Sequence, residues 1–154
     1  MYRFALGVEY DGAGYCGWQK QVSINLETVQ GKLEEALSRV ANYSIRTTCA
    51  GRTDSGVHAT NQVVHFDTPV DRGNKAWVVG VNSLLPPSIR VTWVKAVDQS
   101  FHARFSATAR RYKYLIYCQR VESVFLRKKA VWMKEELDLK LMNDATGVLL
   151  GEHD

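Results

Sequence analysis

The sequence predicts an α+β fold, an antiparallel sheet with helices packed against one face. Three observations predict it. Tyr2, Phe4, Leu6, Val8 and Tyr10 alternate with Arg3, Ala5, Gly7 and Glu9, which is the period of a strand. From about Thr28 the apolar residues change to Val29, Leu33, Leu37 and Val40, the spacing of one helix face, with Lys32, Glu34, Glu35 and Arg39 turned outward. The segments that follow continue the order to strand, helix, strand, strand, helix, strand, which matches the split β-α-β unit of ferredoxin-like domains.

Taken in order, the first strand leads into Asp11 to Gln19, a glycine-rich loop rather than an element. Ile45 to Ala50 reads as a second strand and Asn61 to Thr68 as a third, with the polar connection Gly51 to His58 between them. A second helix is expected from Asn74 to Leu85, stopping before Pro86-Pro87, which cannot continue it. Ile89 to Val97 is a fourth strand and Arg110 to Gln119 a fifth, with Tyr112, Tyr114 and Ile116 on one face. Ala130 to Met133 suits a short strand, and Leu137 to Leu150 a last helix. Such a sheet leaves one face uncovered, and RNA-binding domains of this architecture use that face.

A chain of 154 residues suits one ordinary domain, residues 1–154. With 45% hydrophobic and 23% charged residues it falls in the soluble globular class, not the disordered one. The net charge of +4 and pI near 9.0 permit a polyanionic partner without demanding one. Cys16, Cys49 and Cys118 are odd in number and widely spaced, so neither a disulfide framework nor a zinc site is indicated. His58, His65, His102 and His153 form no ligand pair at helical spacing. No signal-peptide core or membrane-length apolar run is present, and a soluble intracellular protein is expected.

The segment Gly51 to His58 holds the first candidate site. Asp54-Ser55-Gly56 has the composition of a tight turn, with Gly at a positive φ. Arg52 stands two residues before Asp54, and in extended geometry both side chains point the same way. A guanidinium beside the carboxylate would favour its ionised form, the form a nucleophile or base needs.

The second is Arg110-Arg111-Tyr112-Lys113-Tyr114. It reads either as an exposed strand with solvated charges or as a stacking platform flanked by phosphate-binding cations. From Arg104 to Lys129 there are eight basic residues against the single acid Glu122, which concentrates positive potential there. The glycine-rich loop fits neither a P-loop nor a dinucleotide fingerprint. Trp18 suits a core anchor, and His58 and His65 suit structural positions.

These blocks carry a resemblance. Ala50 to Ala59 (AGRTDSGVHA) is similar to the catalytic loop of the tRNA pseudouridine synthase A family. Tyr10-Asp11-Gly12, Tyr15 to Gln19, Asn82 to Pro86, Phe101 to Ala107 and Arg110 to Tyr114 resemble further blocks of that family, in family order. The resemblance implies an isomerase that converts uridine to pseudouridine in the anticodon stem-loop of tRNA, without cofactor or metal. It implies Asp54 as the catalytic aspartate, Arg52 as its basic neighbour, and Tyr112 as the ring that stacks on the target base. Arg104, Arg110 and Arg111 are expected to contact phosphate or substrate.

The family is about twice as long, so the chain resembles its N-terminal half. A cytoplasmic homodimer is expected of the full-length protein. Two other readings stay open at this point. One is an RNA-binding half-domain inactive on its own; the other is an aspartate-dependent hydrolase or transferase acting on small nucleosides.

Overall fold

The computed structural model describes residues 1–21 and 26–152. The chain divides into two compact units, Met1–Arg111 and Tyr112–Asp154, and each is described by itself.

In the first unit, β1 (Tyr2–Tyr10) is the central strand of a four-stranded sheet. It pairs antiparallel with β3 (Ala59–Thr68) on one side and β4 (Ile89–Val97) on the other. The short β2 (Thr47–Cys49) closes the far edge against β3, giving the order β2-β3-β1-β4. This is the order the split β-α-β expectation requires, with every neighbour antiparallel. Phe4, Leu6, Val8 and Tyr10 all face the core, as the alternation predicts. Register shifts fall at Val8/Tyr10 against β3 and at Gly7/Val8 against β4. Both lie at the end of β1 that feeds the glycine-rich loop, where bulges re-aim a strand.

Helix α1 (Val29–Ala41) starts at Thr28, whose side chain accepts from the Gly31 N–H at 3.2 Å. It stops at Asn42 in the left-handed region, φ 52°, which Asn tolerates. Val29, Leu33 and Leu37 are buried as expected, Val40 is half-buried against the same core, and Ala36, outside the expected face, is buried as well. Glu34 is a correction. It is 8% exposed rather than outward-facing, and its Oε1 accepts from Thr47 N at 2.8 Å, Thr47 Oγ1 at 3.1 Å and Gln30 Nε2 at 3.0 Å. A buried carboxylate persists where several donors satisfy it. The second strand is also shorter than expected, because the Ile45 N–H is spent on Ser38 Oγ at 2.9 Å and the Thr47 N–H on Glu34.

The second helix is less regular than its apolar pattern suggests. A single α-helical turn, α2 (Gly73–Lys75), runs into a π-helical stretch at Ala76–Gly80, and the last turn ends with Leu85 N donating to Val81 O at 3.1 Å. Trp77 lies in the widened stretch, fully buried, its ring 5.6 Å from Phe4 and 5.1 Å from Phe66.

The opposite face of the sheet is only partly open, which also corrects the expectation. The segment after β4 folds back over it. Arg3 pairs with Asp67 at 2.7 Å through two hydrogen bonds and donates to the carbonyl oxygens of Gln99 and Phe101. Ala103 N donates to His65 Nδ1 at 3.1 Å, and both residues are buried. Burial pushes the His65 imidazole below its ordinary value, helped by the nearby Arg3 and His102 charges. The Arg3 guanidinium holds the Asp67 carboxyl below the usual carboxylate range.

In the second unit, β5 (Ile116–Cys118) pairs parallel with β6 (Val131–Met133), and α3 (Leu139–Ala145) is followed by a 3-10 turn at Thr146–Leu149. Asp138 caps α3 by accepting from Lys140 N and Leu141 N. The strand expected from Arg110 to Gln119 therefore spans three residues, and Tyr112 and Tyr114 precede it. A strand extends only as far as a partner supplies the ladder, and β6 offers three residues. His153 lies outside the described residues.

Candidate active site

The connection between β2 and β3 is held along most of its length by groups from other elements. At its stem, Ala50 N donates to Val63 O at 2.8 Å, and Ala50 O accepts from Arg110 Nε at 2.8 Å. The Gln62 side-chain amide holds both backbone groups of the next residue, accepting from Gly51 N at 3.3 Å and donating to Gly51 O. Further on, Thr53 O accepts from Trp18 N at 2.9 Å, and the Thr53 hydroxyl shares a 2.8 Å hydrogen bond with Tyr10 Oη. Ser55 Oγ and Gly56 N both donate to Tyr15 O, at 3.1 and 3.4 Å. Val57 N closes a turn onto Asp54 O at 3.2 Å, with Gly56 at φ 80° as the turn composition predicts.

The glycine-rich loop, ambiguous in the sequence, is the cradle for this connection. A Cβ on Gly12 would stand 2.0 Å from the Val57 carbonyl oxygen, so only glycine lets the two backbones touch. Gly17 combines φ 83° with a close approach to Thr53 O, 2.8 Å from where a Cβ would lie. Asp11 caps the short 3-10 turn Gly12–Gly14 by accepting from Ala13 N. Tyr15 is pinned at its far end by a 2.6 Å hydrogen bond to Ser88 Oγ, and Trp18 is 1% exposed, a core anchor as expected. His58 Nδ1 sits 3.2 Å from Gly12 N and 3.0 Å from Asp11 Oδ1, which joins the two loops once more.

Two side chains stay outside this network. Arg52 and Asp54 are both exposed, and among the described residues neither side chain has a hydrogen-bond or ion-pair partner. The expected Arg52–Asp54 pairing does not form. The i, i+2 argument needs extended backbone, and this segment is a supported loop that turns at Ser55-Gly56. The carboxylate and the guanidinium are instead presented separately to solvent. Burial pushes the thiol of Cys49, at the foot of the loop, above its ordinary value.

The remaining sequence candidates fall in different places. Arg104 is exposed, its guanidinium 5.6 Å from the centre of the Phe105 ring. Arg110 donates from Nε to Ala50 O and from Nη2 to Arg104 O at 2.9 Å. Arg111 is exposed at the end of the first unit. Tyr112 begins the second unit and is 70% exposed. Gln62 escapes a reading of the sequence, since a glutamine in a strand leaves no signature, and Tyr10 and Tyr15 lie in blocks that carry the resemblance but show no sign there of the bonds they make to the loop. The glycines at 12 and 17 were the available signal.

Residues 7–106 match the family described as tRNA pseudouridine synthase. The chain is 57% identical to the tRNA pseudouridine synthase A of Shewanella denitrificans over 152 residues, covering 99% of this chain and 58% of that protein. It is 55% identical to the protein of that name from Aeromonas hydrophila, covering 99% and 56%. Against that of Coxiella burnetii it is 53% identical over 154 residues, covering 100% and 58%. The chain thus spans a little over half the length of the curated relatives it matches. With most of the chain inside the matched region and the loop Ala50 to His58 at its centre, the chain belongs to the tRNA pseudouridine synthase family.

Proposed function

We propose that this chain carries the Asp54 loop of an enzyme that isomerises uridine to pseudouridine in the anticodon stem-loop of tRNA, with Asp54 as the catalytic carboxylate. One observation carries the reading. The loop is tied to four surrounding segments through its backbone and through Thr53 and Ser55, while the Asp54 carboxylate is exposed and unengaged. A site built this way holds its reactive group ready and leaves it available to substrate.

The chemistry suits the residue types. The N1–C1′ bond of uridine breaks, the uracil turns while held, and C5 bonds to C1′ before losing its proton. A carboxylate serves as nucleophile at the sugar or the ring, or as the base that takes the C2′ proton. The target must leave the stack first, at a cost of a few kcal/mol. Tyr112 stacked on the extruded base would offset about 1–3 kcal/mol of that. Arg52, Arg104 and Arg111 are exposed cations suited to RNA phosphates. A cytoplasmic homodimer belongs to the same reading and rests on the resemblance of the sequence alone.

The test is Asp54→Asn in the full-length protein, which keeps the shape of the side chain and removes its charge. Pseudouridine formation on an anticodon stem-loop RNA should fall by at least about a thousandfold, with the unfolding midpoint unchanged because the exposed side chain has no hydrogen bond or ion pair among the described residues. Wild-type turnover would remove Asp54 from the reaction.

A further inference from the structure

We propose that Arg110 is a positioning residue for the Asp54 loop and not one of its phosphate contacts. The proposal rests on the reading of Asp54 given above and deepens it. Arg110 points one edge of its guanidinium at two carbonyls that belong to different segments, Ala50 O at 2.8 Å and Arg104 O at 2.9 Å. Ala50 is the residue from which the loop departs, and its N–H is already fixed to Val63 O on β3 at 2.8 Å. With Arg110 on the carbonyl side, the Ala50 peptide groups are held from both directions, and both backbone groups of the following residue are held by Gln62.

The second carbonyl gives the fork its anchorage. Arg104 follows Ala103, whose N–H is bonded to the buried His65, so the segment that receives Arg110 is fixed to the sheet. Arg110 therefore ties the stem of the loop to the strap that crosses the sheet. Guanidinium is suited to this because its planar donors address two oxygens at fixed geometry, whereas the three donors of an ammonium radiate from one atom on a flexible stem and fix no such plane. The neighbouring cations are disposed otherwise. Arg52 and Arg111 have no hydrogen-bond or ion-pair partner among the described residues, and Arg104 lies over Phe105. All four arginines are exposed, and the cluster divides into one whose guanidinium holds backbone and three whose guanidinium groups do not.

The experiment compares Arg110→Ala and Arg110→Lys with the parent in the full-length protein, using a synthetic anticodon stem-loop RNA. Three readouts are taken: kcat and KM, the slope of log Kd against log salt, and hydrogen exchange at the loop amides. A positioning role predicts that both variants lose about 10- to 100-fold in kcat, since small misplacement of a reacting group costs that much. KM and the salt slope stay unchanged, and the Gly51 and Val57 amides exchange at least about tenfold faster. A phosphate contact predicts a salt slope shallower by about 0.7–0.9 and a raised KM in Arg110→Ala, largely restored in Arg110→Lys. That result overturns the proposal, as does a lowered unfolding midpoint with kcat and loop exchange unchanged. If the parent makes no pseudouridine, the reading of Asp54 fails, and loop exchange in the variants still decides whether Arg110 holds the loop.

Discussion

The Asp54 loop and the Tyr112 segment are both irregular backbone carrying proposed site residues, yet they are constructed in opposite ways. Ala50 to His58 is secured by hydrogen bonds from β3, from the glycine-rich loop and from Arg110, and two of its backbone approaches tolerate no side chain. Tyr112 to Leu115 precede β5, outside the three-residue ladder with β6, and Tyr112 and Tyr114 are 70% and 78% exposed. The loop's geometry is set within its own unit before any substrate arrives. The tyrosine's side chain is mostly exposed and has no hydrogen bond or ring contact among the described residues, which leaves its face open to a ligand. A carboxylate that must meet one atom of a substrate needs the first construction, while a ring that stacks on any exposed base works with the second.

The contrast can be broken most severely at Gly12. In Gly12→Ala the new methyl group meets the Val57 carbonyl, so the two loops must part. We predict a loss of about 1–3 kcal/mol in unfolding free energy, the usual range for overpacking, measured by denaturant melts, together with at least a tenfold fall in turnover. Stability and turnover both equal to the parent would show that the cradle is not needed. Tyr112→Ala sharpens the contrast from the other side. Unfolding free energy should change by less than about 0.5 kcal/mol, as for surface substitutions, while kcat/KM for the stem-loop RNA falls by the equivalent of about 1–3 kcal/mol, the worth of one stacked base. A melt that shifts by several kcal/mol would mean that the ring is a packing residue.

How far the sequence was legible follows the same division. The alternation of β1 and the helix face of α1 were readable because one side of each element is buried in the core. The ferredoxin-like strand order followed from their sequence. Glu34 departs from the outward face because Thr47, which gives it two donors, lies beside it only in the fold, while Gln30 one turn earlier on the same helix gives no local sign of burial. The strand expected at Arg110 to Gln119 was overlong for a related reason, since alternation shows the capacity for a ladder and not the length of the partner. At the site, Asp54 and the Gly56 turn were visible as residue types, whereas the Arg52–Asp54 pairing was not realised. Gln62 and Arg110 hold the loop backbone with their side chains, and the Tyr15 carbonyl holds it by accepting from Ser55 Oγ and Gly56 N, bonds between separate segments that no local pattern announces.

The account stands on the claim that the Asp54 loop is ordered in the RNA-free protein. Residue-resolved hydrogen exchange on the full-length protein without RNA tests it most directly, at Trp18, Ala50 and Gly51, whose N–H groups bond to Thr53 O, Val63 O and Gln62 Oε1. The account predicts protection of about tenfold or more over the unstructured rate at all three amides, with little change when RNA is added. Exchange at the unstructured rate without RNA, followed by protection only in its presence, would contradict it.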